Sequence, residues 1–163
     1  MDASDELLTL AELSIGLAGF SGVVVAFSRG AGLHERDRFF FISLLSVTLS
    51  GFFLAFVPFG FHHAGVAGPL AWKGSSLIML AISVGVGWAL VTRIPSDLGH
   101  NAMGGLGNVV SWGLPVFIFA FQLANITAWP MESGALLYVA GLVFWMLIAG
   151  INFVYLVLFG ASK

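Results

Sequence analysis

One carboxylate, Glu12, lies within an apolar run near the beginning of this chain. The run covers residues 7–27, which is long enough for an α-helix to cross a bilayer. A charged side chain within a membrane helix costs up to roughly 3 kcal/mol on insertion scales, so it normally faces protein or water rather than lipid. We therefore expect Glu12 to bind a proton or a small cation, or to hydrogen-bond to a neighbouring helix.

Amide and hydroxyl side chains recur at helical spacing in the later apolar runs. Polar residues of the fourth run follow one another at intervals of three and four, so they share one face of a helix. Serines of the second run form a similar, weaker stripe. Such residues either hydrogen-bond between membrane helices or line a polar pathway across the membrane. The candidate pathway residues besides Glu12 are Ser43, Ser46, Ser50, Asn108, Ser111, Gln122, Asn125 and Asn152.

Small residues in the first apolar run predict a close contact with another helix. Gly16, Gly19 and Ala26 line up with Glu12 at helical spacing, and Gly22 lies beside them. Glycine and alanine let the backbones of two membrane helices approach closely, either within one chain or between two copies. We therefore expect this face of the helix to pack against another helix.

The composition of the chain is that of an integral membrane protein. Of its 163 residues, 59% are hydrophobic and 9% are charged, and the mean hydropathy is +1.02. A soluble domain carries about 25% charged residues, so these residues are too few to cover a water-exposed surface. No linker-like tract divides the chain, which predicts a single transmembrane domain over residues 1–163. The acidic N-terminus lacks the basic region of a signal peptide, so we expect the first apolar run to be retained.

Five apolar runs each have close to the roughly 20 residues that a transmembrane helix needs. Only helices or closed barrels satisfy the backbone in hydrocarbon, and these continuous runs lack the alternating pattern of barrel strands. The predicted fold is therefore all-α, a compact bundle of five transmembrane helices. The approximate spans are residues 7–27, 39–61, 70–91, 109–129 and 135–159.

The distribution of basic residues predicts that the N-terminus lies outside and the C-terminus inside the cell. Short loops on the inner side of a membrane are enriched in Lys and Arg. With the N-terminus outside, the outer side carries only Lys73, and the inner side carries Arg29, Arg36, Arg38, Arg93 and Lys163. We therefore expect a protein of the cell (inner) membrane, with Glu12 in the outer half of the bilayer.

Several kinds of chemistry are not predicted for this chain. Its lack of cysteine excludes disulfides, thiolate metal sites and a cysteine nucleophile. His62 and His63 are adjacent, and on a helix they point about 100° apart, which is not a metal-ligand spacing. No G-x-S-x-G or H-E-x-x-H motif occurs, and the glycines of residues 104–107 form no phosphate-binding loop. We expect no enzyme activity, metal or cofactor, and the net charge of −2 gives no reason to expect nucleic acid.

These features favour a small homo-oligomeric channel or transport protein for protons or small cations. Glu12 is the expected ion-binding group, and a pathway between copies fits five short helices better than a cavity inside one chain. Two other interpretations remain open: a structural or assembly subunit of a larger membrane complex, and a membrane effector driven by a soluble partner. The expected partners are the lipid bilayer, further copies of the chain, and other membrane subunits.

Overall fold

The computed structural model describes residues 3–28, 35–66, 68–94, 104–127 and 134–160, and it describes the side chains of these residues except 27–28, 104–112 and 159–160. Five α-helices occupy these ranges and no strand occurs within them, so the all-α prediction is confirmed. The helices are α1 (Ser4–Ser28), α2 (Glu35–His63), α3 (Gly68–Val91), α4 (Gly104–Thr127) and α5 (Gly134–Gly160).

Four of the helices are long and apolar enough to cross a membrane. The shortest of the four spans has 23 residues, which at 1.5 Å per residue cover about 35 Å, more than the roughly 30 Å of hydrocarbon in a bilayer. In α4, the apolar part with described side chains is the shorter segment Gly113–Thr127. The helices are therefore those of a membrane protein, while the fifth span and the orientation of the termini remain predictions. The four spans are Ser4–Ala26, Glu35–His63, Gly68–Val91 and Gly134–Leu158.

Helices α1 and α2 begin before the apolar runs that predict them. The first turn of α2 holds Glu35 and Asp37, and the first turn of α1 holds Asp5 and Glu6. Carboxylates are favourable at a helix N-terminus because they lie near unpaired N–H groups and the positive end of the helix dipole. The charged residues therefore lengthen both helices outside the apolar runs instead of forming loops.

The middle of the bundle is formed by α2 and α5. α1 packs against both of these helices, and α4 packs against α5 and α3. α3 also contacts α2 and α5. The helices α1 and α4 therefore lie on different sides of the α2–α5 pair.

The interior of the bundle is mostly apolar, and glycines such as Gly51 and Gly74 bring helices close together. A Cβ atom added to Gly51 on α2 would overlap the side chain of Met146 on α5. A Cβ atom added to Gly74 on α3 would lie 2.7 Å from Cζ of Phe61 on α2. All five helices contribute large side chains that are fully buried, among them Leu7, Leu44, Leu54, Met79, Ile118 and Leu142.

The outward surface of the bundle carries large apolar side chains. Phe20 on α1 is 68% exposed, Trp88 on α3 is 73% exposed and Leu136 on α5 is 68% exposed. Water solvates such a surface poorly, whereas lipid tails are as apolar as these side chains. The outward surface therefore suits contact with lipid.

Candidate functional site

Helix α1 presents Glu12 on its outward face. The inward face of α1 is buried and includes Leu7, Leu10 and Ser14. Ser14 Oγ donates a hydrogen bond of 2.6 Å to the Leu10 carbonyl and lies 3.0 Å from Met146 Sδ on α5. Glu12 lies on the other side of the helix, where its side chain is exposed. Among the described residues, its carboxylate has no hydrogen-bond or ion-pair partner.

The small residues that line up with Glu12 also belong to this outward side of α1. Gly19, Gly22 and Ala26 are exposed, and Gly16 is half-buried. A Cβ atom added to any of the three glycines would meet nothing from another described helix within 4 Å. Among the described residues these glycines make no close helix contact, so a packing role for them would require another chain. We call these four residues and Glu12 the Glu12 face.

On α4, the buried side chain of Asn125 joins three helices. Its Nδ2 donates hydrogen bonds to Ser76 Oγ on α3 (2.8 Å) and to the Gly134 carbonyl at the start of α5 (3.0 Å). A Cβ atom added to Gly134 would lie 3.1 Å from Asn125 Oδ1, so the glycine leaves room for the amide. Asn125 therefore has the geometry of a residue that holds helices together.

Gln122 lies one turn deeper on the same face of α4 and is fully buried. Its Nε2 donates a hydrogen bond of 3.3 Å to the Leu137 carbonyl on α5, and it occupies space that a Cβ atom on Gly141 would fill. Its Oε1 is buried and has no hydrogen-bond partner in the described part of the chain. Most buried acceptors in proteins have a hydrogen-bond donor. Gln122 is an exception among the described residues, because its Oε1 accepts no hydrogen bond inside the bundle. Asn108 and Ser111, predicted on the same face, have side chains that lie outside the described residues.

The predicted serines of α2 differ in their surroundings. Ser43 is buried, and its Oγ accepts a hydrogen bond of 2.9 Å from Asn152 Nδ2 on α5. Ser46 and Ser50 are half-buried. The structure thus brings Ser43 and Asn152 together as one contact between the two central helices.

Two further hydrogen bonds join α5 to α2, and neither belongs to the predicted site. Tyr138 Oη donates to the Leu54 carbonyl (2.7 Å), and Trp145 Nε1 donates to the Val47 carbonyl (2.6 Å). The Leu54 carbonyl lacks its usual backbone donor, because the residue four positions later is Pro58, which has no N–H. A proline inside an apolar run is therefore the sequence signal that points to the first of these bonds.

The arrangement separates Glu12 from the buried amides. Glu12 faces outward from α1, whereas Gln122 and Asn125 are enclosed among α3, α4 and α5. Over the described ranges, no group of three or more His, Cys, Asp or Glu side chains is placed to hold a metal ion. The candidate functional site is therefore the Glu12 face, and the buried polar residues connect helices. No protein-family model, curated protein or solved structure matches this chain.

Proposed function

We propose that this protein forms homo-oligomers in the cell (inner) membrane that conduct protons or small cations along contacts between copies. The Glu12 face forms the contact, and the Glu12 carboxylate binds the proton or cation. One observation carries the proposal: Glu12 is exposed and has no partner among the described residues, although it belongs to a helix that is apolar enough to cross a membrane.

A carboxylate at this place is unfavourable when it faces lipid. The cost reaches roughly 3 kcal/mol near the centre of a membrane helix, and embedded ionisable side chains usually face protein or a water-filled cavity. Gly16, Gly19 and Gly22 leave the backbone of α1 uncovered on the same face, so a second helix can approach closely. A second copy of the chain would then shield the Glu12 carboxylate from lipid and leave it beside a path for ions.

The buried polar residues support such a path without lining it. Asn125 and Asn152 use their Nδ2 groups in hydrogen bonds to other helices, and Ser43 accepts one of these bonds. Hydrogen bonds between membrane helices contribute roughly 0.6–2 kcal/mol each. In the proposed protein these residues hold the bundle in shape, so that each copy presents the same rigid Glu12 face.

The depth of Glu12 suggests where along the path an ion would bind. Glu12 lies about 12 Å along the helix axis from Ser4, the first residue of α1. With the N-terminus outside and all five helices spanning the membrane, this places the carboxylate in the outer half of the bilayer. Glu12 would then act near the outer entrance, where it concentrates cations before they cross.

Ion flux through liposomes that contain the purified protein tests the proposal. Wild-type oligomers should pass protons or monovalent cations, and Glu12→Gln should reduce the flux roughly tenfold or more, because an amide neither titrates nor balances a cation. Glu6→Gln is the matched control, since Glu6 is an exposed carboxylate in the first turn of α1 and should keep wild-type flux. An absence of flux from wild-type oligomers, or unchanged flux in Glu12→Gln, would refute the proposal.

A structural subunit of a larger membrane complex is the second candidate function. The bonds made by Asn125, Tyr138 and Trp145 favour it, because they hold the helices of a single chain together and leave the Glu12 face as the surface for a partner. In that case the partner helix would supply a hydrogen-bond donor to Glu12. Co-purification with another membrane protein in fixed stoichiometry, together with no flux, would favour this candidate over the first.

A further inference from the structure

A cleft opens where α2 begins and α3 ends. It has a volume of about 530 Å³ and is lined by Glu35, Arg38, Phe39, Ile42, Leu90 and Arg93. Its charged residues lie at or beyond the ends of the two helices, where the apolar runs stop. The cleft is therefore placed at the level where lipid headgroups meet acyl chains.

The charges of the cleft lining favour an anion that contains a phosphate group. Arg38 and Arg93 have no ion-pair partner among the described residues. Arg36 differs, because its Cζ lies 5.2 Å from the centroid of the Tyr155 ring on α5. With Glu35, the lining carries two positive charges and one negative charge. Guanidinium groups pair well with phosphate oxygens, and a net charge of +1 matches the single negative charge of a phosphodiester.

The remaining lining residues are apolar and favour a lipid over a free phosphate ion. Phe39 and Ile42 are three residues apart on α2, so they share one face, and Leu90 lines the cleft from α3. All three side chains are half-buried. A phosphate ion in solution gains nothing from these side chains, whereas an acyl chain packs against them.

We propose that this cleft binds one anionic phospholipid. Its phosphodiester lies on Arg38 and Arg93, and its acyl chain lies along the three apolar residues. A lipid with a net charge of −1 neutralises the lining, whereas a zwitterionic lipid leaves it positive. The inference uses only the residues of the cleft, and it does not depend on ion conduction at the Glu12 face.

Native mass spectrometry of the full chain in detergent tests this binding. Delipidated protein is titrated with phosphatidylglycerol and, separately, with phosphatidylcholine that has the same acyl chains. One molecule of phosphatidylglycerol should bind per chain, and it should bind more tightly than phosphatidylcholine. The double variant Arg38→Gln/Arg93→Gln should bind it about 30-fold more weakly, at about fivefold for each basic residue near an anionic headgroup. Arg36→Gln is the matched control: it removes a neighbouring positive charge that does not line the cleft, and it should weaken binding clearly less than the double variant does.

A second variant tests the apolar part of the cleft without a change in charge. Leu90→Trp fills the cleft and should also weaken binding of phosphatidylglycerol, while circular dichroism shows unchanged helix content. Excess inorganic phosphate should not displace the lipid, because phosphate makes no acyl-chain contact. The proposal is overturned if Arg36→Gln weakens binding as much as the double variant, if phosphatidylcholine binds equally well, or if inorganic phosphate displaces the lipid.

Discussion

Replacing Tyr138 by phenylalanine should destabilise the bundle by about 1–2 kcal/mol. Tyr138 is fully buried, and its hydroxyl donates a 2.7 Å hydrogen bond to the Leu54 carbonyl. Because Pro58 provides no N–H four residues later, the variant leaves this buried carbonyl without a donor. An unsatisfied buried polar group costs about 1–3 kcal/mol, and bonds between membrane helices lie near the lower end of that range. The ring is retained, so no large cavity adds to the cost.

A second substitution, at Pro58, tests whether the missing backbone donor to the Leu54 carbonyl causes the loss of stability. Pro58→Ala restores a backbone N–H that reaches the Leu54 carbonyl in a regular α-helix. In the Pro58→Ala background, Tyr138→Phe should therefore cost less than about 0.5 kcal/mol, because the carbonyl keeps one donor. The double-mutant cycle should give a coupling free energy of about 1 kcal/mol between the two positions.

Reversible unfolding in mixed micelles, with helix content followed by circular dichroism, measures these free energies. Ser83→Ala is the matched control, since Ser83 Oγ donates to the Met79 carbonyl of its own helix (2.7 Å) and that carbonyl keeps its backbone donor. The control should change the free energy of unfolding by less than about 0.5 kcal/mol. A Tyr138→Phe variant as stable as the wild type, or one equally destabilised in both backgrounds, would refute the reasoning.

The other contacts of α4 and α5 allow two further predictions with the same assay. Asn125→Ala should destabilise the bundle by about 2 kcal/mol because it removes two hydrogen bonds, and Ser76→Ala should cost about half as much because Asn125 keeps its bond to α5. If Asn125→Ala and Ser76→Ala lowered the free energy of unfolding equally, the two hydrogen bonds of Asn125 would not contribute separately as expected. Gly141→Ala should cost about 1–3 kcal/mol because its Cβ would overlap the Gln122 amide. Gly150→Ala on the same helix is the control and should be neutral or stabilising, because a Cβ atom there meets nothing within 4 Å. If Gly141→Ala and Gly150→Ala were equally stable, the Gln122 amide would move aside at no cost, and the prediction would be wrong.

The polar face of α4 shows how much helical spacing can predict. The interval of three between Gln122 and Asn125 predicts that both lie on one face, and both are buried. The same interval says nothing about their partners, because Ser76 and Leu137 belong to other helices of the chain. Which helices meet depends on how the whole bundle packs, and a periodic pattern in one helix does not contain that information.

Helix α1 shows what spacing does not predict in a membrane protein. Leu10 is buried and Leu13 is 54% exposed, although the two residues are identical in type and lie in the same apolar run. Both the interior of the bundle and the surrounding lipid are apolar, so hydrophobic periodicity does not distinguish the inward face from the outward face. The outward position of Glu12 follows only from the packing of α1 against α2 and α5.

Disulfide crosslinking at the Glu12 face tests the central claim most directly. The chain has no cysteine, so Gly19→Cys introduces a single thiol into this face, and Leu136→Cys introduces one on the outward side of α5. A disulfide forms only when the two Cα atoms come within about 7 Å, which a glycine-lined helix contact allows. Mild oxidation in membranes should convert Gly19→Cys to covalent dimers and leave Leu136→Cys monomeric. An absence of dimers in Gly19→Cys, or equal dimer formation in both variants, would contradict the claim that a second copy covers Glu12.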